Sequence, residues 1–429
     1  MIFGKETDFK ETKTGRFPSD WQDAKLEDVL SQLRNGIVAS QNKEGRGIPI
    51  TRIETISDEK IDLNKLGYLE KANGLNYDNF LLTDGDILFS HINSLEHIGK
   101  TALYEGVPES LLHGMNLLLL RPKKDVLNPK YLVYLLKLFR QRNLFRAIAK
   151  KAVNQASINQ TELGRVRVPI PPMFEQQGIV EVLSCVDLAI KKTDEVIAKT
   201  ERFKKGLIQK LLREGIGHRE FKDSDIGRIP KAWESATFEE VTTRITYGFT
   251  NPMPHVEKGH YIVTAKNVGD GRIDYSSANM TTEEAYCNLL TDKSRPKKGD
   301  VLFTKDGTIG KAAVVDRDSI CISQSVALLI PKENLVRASY LSWTLQSPAI
   351  QSLVNYHSAT TTIPHLAITK LAKMKLGLPS LTEQQAISDV LSTANRRCQL
   401  ERDEKTRLKR IRQGLLDILL TGKVRVKVD

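Results

Sequence analysis

The amino-acid sequence is written twice. Phe9-Lys10, Gly15-Arg16, Pro18, Trp21, Glu27, Val29 and Gly36 recur as Phe221-Lys222, Gly227-Arg228, Pro230, Trp233, Glu239, Val241 and Gly248, at a constant offset of 212 residues. The offset is 214 from Gly85-Asp86 to Gly299-Asp300, 211 from Ile98-Gly99-Lys100 to Ile309-Gly310-Lys311, and 209 from Tyr131-Leu132 to Tyr340-Leu341. From Pro171 to Leu212 it is a constant 208, so that Glu175-Gln176-Gln177 returns as Glu383-Gln384-Gln385. Ordered matches with such small insertions and deletions mean an internal duplication. The match is uneven: residues 37–81 and 249–295 agree poorly, while the segments around them agree well. One frame carries two different inserts; neutral drift in surface loops is the competing account.

Each copy predicts an α+β domain followed by a long helix. Ile87-Leu88-Phe89 and Val301-Leu302-Phe303 are apolar runs after Gly-Asp turns, as are Ala312 to Val315 and Val326 to Ile330 nearby, and all read as strands. Tyr131–Arg146 has a helical pattern, and its counterpart Tyr340–Tyr356 is interrupted at Pro348. Trp21 and Trp233 read as core anchors. Phe174 to Leu212 holds no proline, and its 39 residues would span about 58 Å as a helix. Leu183, Val186, Ile190, Ile197, Leu207 and Leu211 form an apolar stripe; in the second copy the stripe is Leu391, Ala394, Cys398, Leu408, Ile411, Leu415 and Leu419. A single stripe needs a partner, and the simplest is the other copy. The expected architecture is two globular mixed domains separated by a pair of long antiparallel coiled-coil-like helices, related by a pseudo-two-fold axis. The boundaries are a first domain at 1–172, a first long helix and linker at 173–222, a second domain at 223–380 and a second long helix at 381–429. Residues 1–10 align with the linker 213–222, so the C-terminal helix should meet the N-terminus. His218 in that linker is expected to be polar surface.

Composition narrows the function. The 429 residues carry 64 Lys+Arg against 52 Asp+Glu, a net charge of +12, which favours a polyanionic partner. No apolar run reaches the roughly 20 residues that cross a bilayer, and no secretory leader is evident, so a cytoplasmic protein without membrane contact is expected. Four scattered cysteines, at 185, 287, 321 and 398, make no CxxC pair. Catalytic motifs fail. Ser94-x4-Gly99-Lys100-Thr101 lacks the first glycine of a phosphate loop, and Gly310-Lys311-Ala312 lacks the hydroxyl as well. Asn251-Pro252-Met253-Pro254 and Ile170-Pro171-Pro172-Met173-Phe174 only approximate an amino-methyltransferase loop. The eight histidines form no HExxH motif, and there is no GxSxG elbow.

The order of these features resembles the specificity subunit of type I restriction–modification systems over nearly the whole chain. The resemblance rests on the Gly-x-x-Pro-x-x-Trp opening at Gly15–Trp21 and Gly227–Trp233, the Gly-Asp-x-Leu-Phe strand, the Ile-Gly-Lys turn, the Pro-x3-Glu-Gln-Gln-x-Ile helix start, and the ending Leu419-Leu420-Thr421-Gly422-Lys423-Val424-Arg425-Val426. It implies two target-recognition domains, each reading half of a bipartite, asymmetric site in double-stranded DNA. It also implies that the helix pair sets the half-site spacing and docks two methyltransferase subunits, with restriction and translocase subunits joining. S-adenosylmethionine, ATP and Mg would then belong to those partners, leaving this chain without a catalytic residue, metal or cofactor of its own.

Candidate base and phosphate contacts are polar residues of the variable loops: Arg34, Asn35, Gln41, Asn42, Lys43, Arg46, His91 and Asn93 in the first domain, and Arg244, Tyr247, Asn251, Lys266, Asn267, Lys305 and Asp306 in the second. Lys100 and Lys311 occupy matching turns and suit phosphate contacts. Glu175, Gln176, Gln177, Glu383, Gln384 and Gln385 are candidates for binding two copies of a partner; the plainer account is a carboxylate at a helix N-terminus. A divergent stand-alone DNA methyltransferase or nuclease is the alternative from the enzyme class, and a two-headed protein adaptor is the third.

Overall fold

The computed structural model describes residues 2–12, 14–70, 77–153, 155–269, 271–358 and 364–427. The chain divides into two compact units, Met1–Lys192 with Lys405–Asp429, and Thr193–Glu404. In the first unit, β1 (Leu30–Asn35), β2 (Ile87–Ser90), β3 (Thr101–Leu103) and β4 (Leu117–Pro122) form an antiparallel sheet in the order β3-β2-β4-β1. Helix α1 (Pro129–Gln141) follows, and α2 (Met173–Glu214) begins there. In the second unit, β5 (Thr242–Tyr247), β6 (Val301–Thr304), β7 (Ala312–Val314) and β8 (Val326–Pro331) form a sheet in the order β7-β6-β8-β5. Helix α3 (Ala338–Leu345) follows, then α4 (Leu381–Leu419).

The two sheets share their register residue for residue. Arg34 faces Leu119 and Thr246 faces Leu328; Leu88 faces Leu119 and Leu302 faces Leu328; Ala102 faces Leu88 and Ala313 faces Leu302. Each pair maps onto its counterpart at the offset of the sequence repeat. Even the β-bulge recurs, between Arg121 and Pro122 and between Thr242 and Arg244. The unbroken apolar runs are explained by burial on both faces. Ile87, Phe89, Leu118 and Leu120 pack on the helical side with Tyr131 and Leu135, while Leu88, Ala102, Leu117 and Leu119 pack on the insert with Ile56 and Leu66. In the second unit Val301, Phe303 and Leu329 lie on the helical side, and Leu302, Ala313 and Leu328 on the insert side.

The helices depart from expectation at defined residues. Helix α1 stops at Gln141 because Asn143 takes φ 62°, and a short helix Leu144–Ile148 restarts beyond it. The counterpart breaks at Pro348 as its sequence predicts, and a second helix, Pro348–Ser358, begins there. Helix α2 gives residues 173–192 to the first unit and 193–214 to the second; α4 gives 381–404 to the second and 405–419 to the first. Within each unit the two stretches run antiparallel. Asp187 meets Arg412 and Glu175 meets Arg425 in the first; Glu201 meets Arg402 and Lys204 meets Asn395 in the second. Leu183, Leu391, Cys398 and Leu419 are buried as the stripe requires, but Ile411 is 46% exposed and lies off the seam. The chain ends do meet: Ile2–Lys5 pairs antiparallel with Val424–Lys427.

Candidate nucleic-acid interface

The frame holding each sheet is a repeated set of hydrogen bonds. Trp21 Nε1–H donates to Glu175 Oε2 and Trp233 Nε1–H to Glu383 Oε2, both at 3.1 Å. Gln176 Oε1 accepts from the Asn128 N–H at the start of α1 (2.8 Å), while its Nε2 donates to the carbonyls of Val126 and Pro171. Gln384 does the same with the Arg337 N–H (2.8 Å) and the carbonyls of Leu335 and Pro379. Tyr131 OH donates to Pro169 C=O and Tyr340 OH to Gly377 C=O. The intact recurrence of Glu-Gln therefore has an internal cause: Glu175, Gln176 and Gln384 are buried and engaged, and Glu383 is nearly so. Gln177 and Gln385 remain exposed. His218 is not plain surface, since its Nε2 lies 2.9 Å from Glu383 Oε1 and its ring meets Trp233 edge-on.

Of the candidate residues, Arg34, Asn35 and Tyr247 end sheet strands, and His91, Lys305 and Asp306 directly follow them. In the first unit Arg34 donates to Asn79 C=O (2.8 Å) and lies over the Phe80 ring. Asn35 is exposed beside it. Gln41 lines a cavity of about 250 Å³ with Arg52 and Met115. Asn42 is occupied in its own turn, accepting from the Glu44 N–H and donating to Arg46 C=O, while Arg46 pairs with Glu44. Lys43 is exposed. Asn93 bonds Ser90 Oγ and accepts from the Ser94 N–H. Lys100 is bound by its ammonium to Ser57 C=O.

In the second unit Arg244, Asn251 and Lys266 are exposed. Tyr247 is 39% exposed, and the ammonium groups of Lys305 and Lys293 sit 5.2 Å and 5.5 Å from its ring. Lys305 pairs with Asp306 at 2.7 Å, and Asp306 also binds His365 Nδ1. Asn267 is buried and serves the fold: its Oδ1 accepts from Thr264, and its Nδ2 donates to Asp274 C=O and Ser277. The Lys311 N–H donates to Thr304 Oγ1 at 2.9 Å.

His91 and Lys305 stand on the same backbone. The Ile158 N–H donates to His91 C=O and the Leu366 N–H to Lys305 C=O, each at 2.9 Å. Both side chains are buried. Burial lowers the His91 pKa to about 4, so the ring is neutral at pH 7, and its Nδ1 has no hydrogen-bond partner. Lys305 keeps its charge company through Asp306. One frame thus presents an uncompensated imidazole nitrogen in one unit and a Lys–Asp–His–Tyr cluster in the other. Lys293 and His365 escaped the sequence reading. The repeat could have found His365, because Asp306 bridges His365 where Ile92 pairs with Ser157 in the first unit. Among the described residues no group of three or more His, Cys, Asp or Glu is placed to hold a metal ion. No helix among them is long and apolar enough to cross a membrane.

Comparison with known proteins agrees with this organisation. The family model described as the type I restriction modification DNA specificity domain matches residues 18–201 and 253–410. The putative type I restriction enzyme MjaX specificity subunit of Methanocaldococcus jannaschii is 38% identical over 433 residues, spanning 100% of this chain and 99% of that one. The MjaVIII specificity subunit of the same organism is 26% identical, spanning 100% and 98%. The crystal structure of a type I restriction–modification S subunit from M. genitalium shares the fold, with a TM-score of 0.56 at 15% identity, covering 96% of this chain and 97% of that one.

Proposed function

This chain belongs to the type I restriction–modification DNA-specificity family, and from that premise we propose that it is a sequence-specific DNA-recognition subunit with no catalytic chemistry of its own. Each unit reads one half of a bipartite, asymmetric site in double-stranded DNA. Helices α2 and α4 set the distance between the halves and carry two methyltransferase subunits, to which restriction and translocase subunits are added. S-adenosylmethionine, ATP and Mg are bound by those partners, and the assembly works in the cytoplasm.

The observation that carries this reading is the shared register beneath unlike side chains, His91 against Lys305 above all. A purely structural repeat has no reason to hold the backbone this constant and change the chemistry at the strand exits. Reading a base sequence needs donors and acceptors varied on a fixed support, while phosphate contacts need only cations. The exposed Asn35, Lys43, Arg46, Arg244, Tyr247, Asn251 and Lys266 are the first candidates for that surface, and the exposed Gln177 and Gln385 for the partner. The test is to shorten α2 and α4 together by whole turns and map the methylated motif of the assembled system. The spacer is expected to change and both half-sites to persist. Altered half-sites with an unaltered spacer would overturn the proposal.

A further inference from the structure

After β1 and β5 the chain bends back onto the sheet along the same path. The Ile37 N–H donates to His113 C=O (2.9 Å) and Ile37 bridges Gly114 in parallel. The Phe249 N–H donates to Ile322 C=O (3.0 Å) and Phe249 bridges Ser323 in parallel. A glycine precedes each bridge for a steric reason: a Cβ on Gly36 would run into the Gly114 carbonyl, and one on Gly248 into the Ile322 carbonyl. The path is therefore dictated, and the residues just beyond each bridge are free to differ.

They differ in kind. In the first unit they are Val38 and Met115, 80% and 38% exposed. Ile37 and Ala39 join a small core, while Val38 between them is exposed and takes no part in it. In the second unit the equivalent residues are Thr250 and Gln324, both exposed. The Gln324 backbone N–H is used, donating to Phe249 C=O at 2.8 Å, which holds the backbone of an exposed residue in place.

We propose that these two positions form a specificity-determining element in each unit: Val38 and Met115 read the 5-methyl group of a thymine, and Gln324, with Thr250 beside it, reads the N6/N7 edge of an adenine. The assignment follows from groove chemistry. The thymine methyl is the apolar feature of the major groove, whereas a carboxamide matches adenine with one donor and one acceptor. Each half-site then holds an A·T pair at this place, with opposite strands turned toward the two units. The inference rests on the DNA-reading function proposed above.

The test uses the purified full chain and synthetic duplexes. A binding selection first gives the two half-sites. Replacing each thymine of the first half-site in turn by deoxyuridine removes only a methyl group, and at one position affinity should fall about fourfold, as for one buried methyl. Replacing adenines of the second half-site by 7-deazaadenine should cost about tenfold at one position. A Val38→Asn, Met115→Gln chain, which leaves no methyl at either position, should lose the deoxyuridine effect and keep its second half-site. If the unaltered chain selects no two-part motif, the DNA-reading function proposed above fails. If it selects one but no deoxyuridine position matters, this inference alone falls, without recourse to any variant that could misfold.

Discussion

The same joint closes each unit, but with different chemistry. In both, a tryptophan N–H meets a glutamate at the start of a long helix. In the first unit that glutamate, 1% exposed, is also clasped by the Arg425 guanidinium at 2.7 and 2.8 Å, and Arg425 reaches Glu6 and Asp20 as well. In the second unit Glu383 is met by the Ile216 N–H and His218, each at 2.9 Å. The tryptophan bond recurs because both frames need it. The closing group varies because any donor set of the right reach will do. The lesson is that recurrence marks what the frame requires, and the energetic weight of a joint lies in what is buried with it. Glu175→Ala removes two charge-assisted bonds from the Arg425 guanidinium, which keeps Glu6 and Asp20, and leaves the buried Trp21 N–H without its acceptor, and should cost about 3 kcal/mol. Glu383→Ala strands only an indole N–H, an amide and a histidine, and should cost about 1–3 kcal/mol. Urea unfolding of the two variants checks this, and equal losses would break the comparison.

Acid should separate the units next. His91 and His113 are both buried in the first unit, burial lowers each pKa from 6.5 to about 4, and each has an Nδ1 without a partner. At these positions the second unit has Lys305 and Ile322. The unfolded chain binds protons on these rings below pH 6.5, whereas the folded first unit resists until about pH 4. Stability is therefore full above pH 6.5 and is lost as pH falls toward 4, by about 1–2 kcal/mol per ring near pH 5. Hydrogen exchange at pH 7 and pH 5, compared between β4 and β8, should show protection falling in the first unit and holding in the second. His113→Phe should narrow the gap, because it removes a titrating ring and keeps most of the volume.

The frame was legible because its evidence is written in sequence order. The duplication, the strands, the Pro348 break and the two long helices all follow from spacing and from which residues are apolar. Less legible was the fate of polar side chains, since their burial depends on neighbours far away in sequence. Asn267 looks like a loop reader but is spent on Thr264 and Ser277; Gln176 looks like a presented patch but is spent on the Asn128 N–H and the carbonyls of Val126 and Pro171. His91 and Lys305 fall at matching positions of the repeat, at the offset of 214 residues, yet nothing in the sequence reveals that both are buried or that His365 joins the second. Ile411 fits an apolar stripe by spacing alone but sits outside the seam, because in the first unit the helix stretch beyond residue 405 turns Leu416 and Leu419 inward instead.

The smallest expected effect asks whether the two units grip the DNA backbone equally. Lys43 and Lys266 are exposed cations in the variable segments of the first and second unit. A lysine on a phosphate releases condensed counterions, so its loss should lower the slope of log affinity against log salt by about 0.9. The accompanying loss of affinity is a few-fold and independent of sequence, because phosphates carry no base identity. Lys43→Ala and Lys266→Ala should each produce that change in salt titrations on specific and on random duplexes alike. Equal slopes would mean that the difference between the units is confined to the bases they read. A slope change in one variant alone would mean that the units also divide the electrostatic work, with one of them anchoring the duplex while the other inspects it.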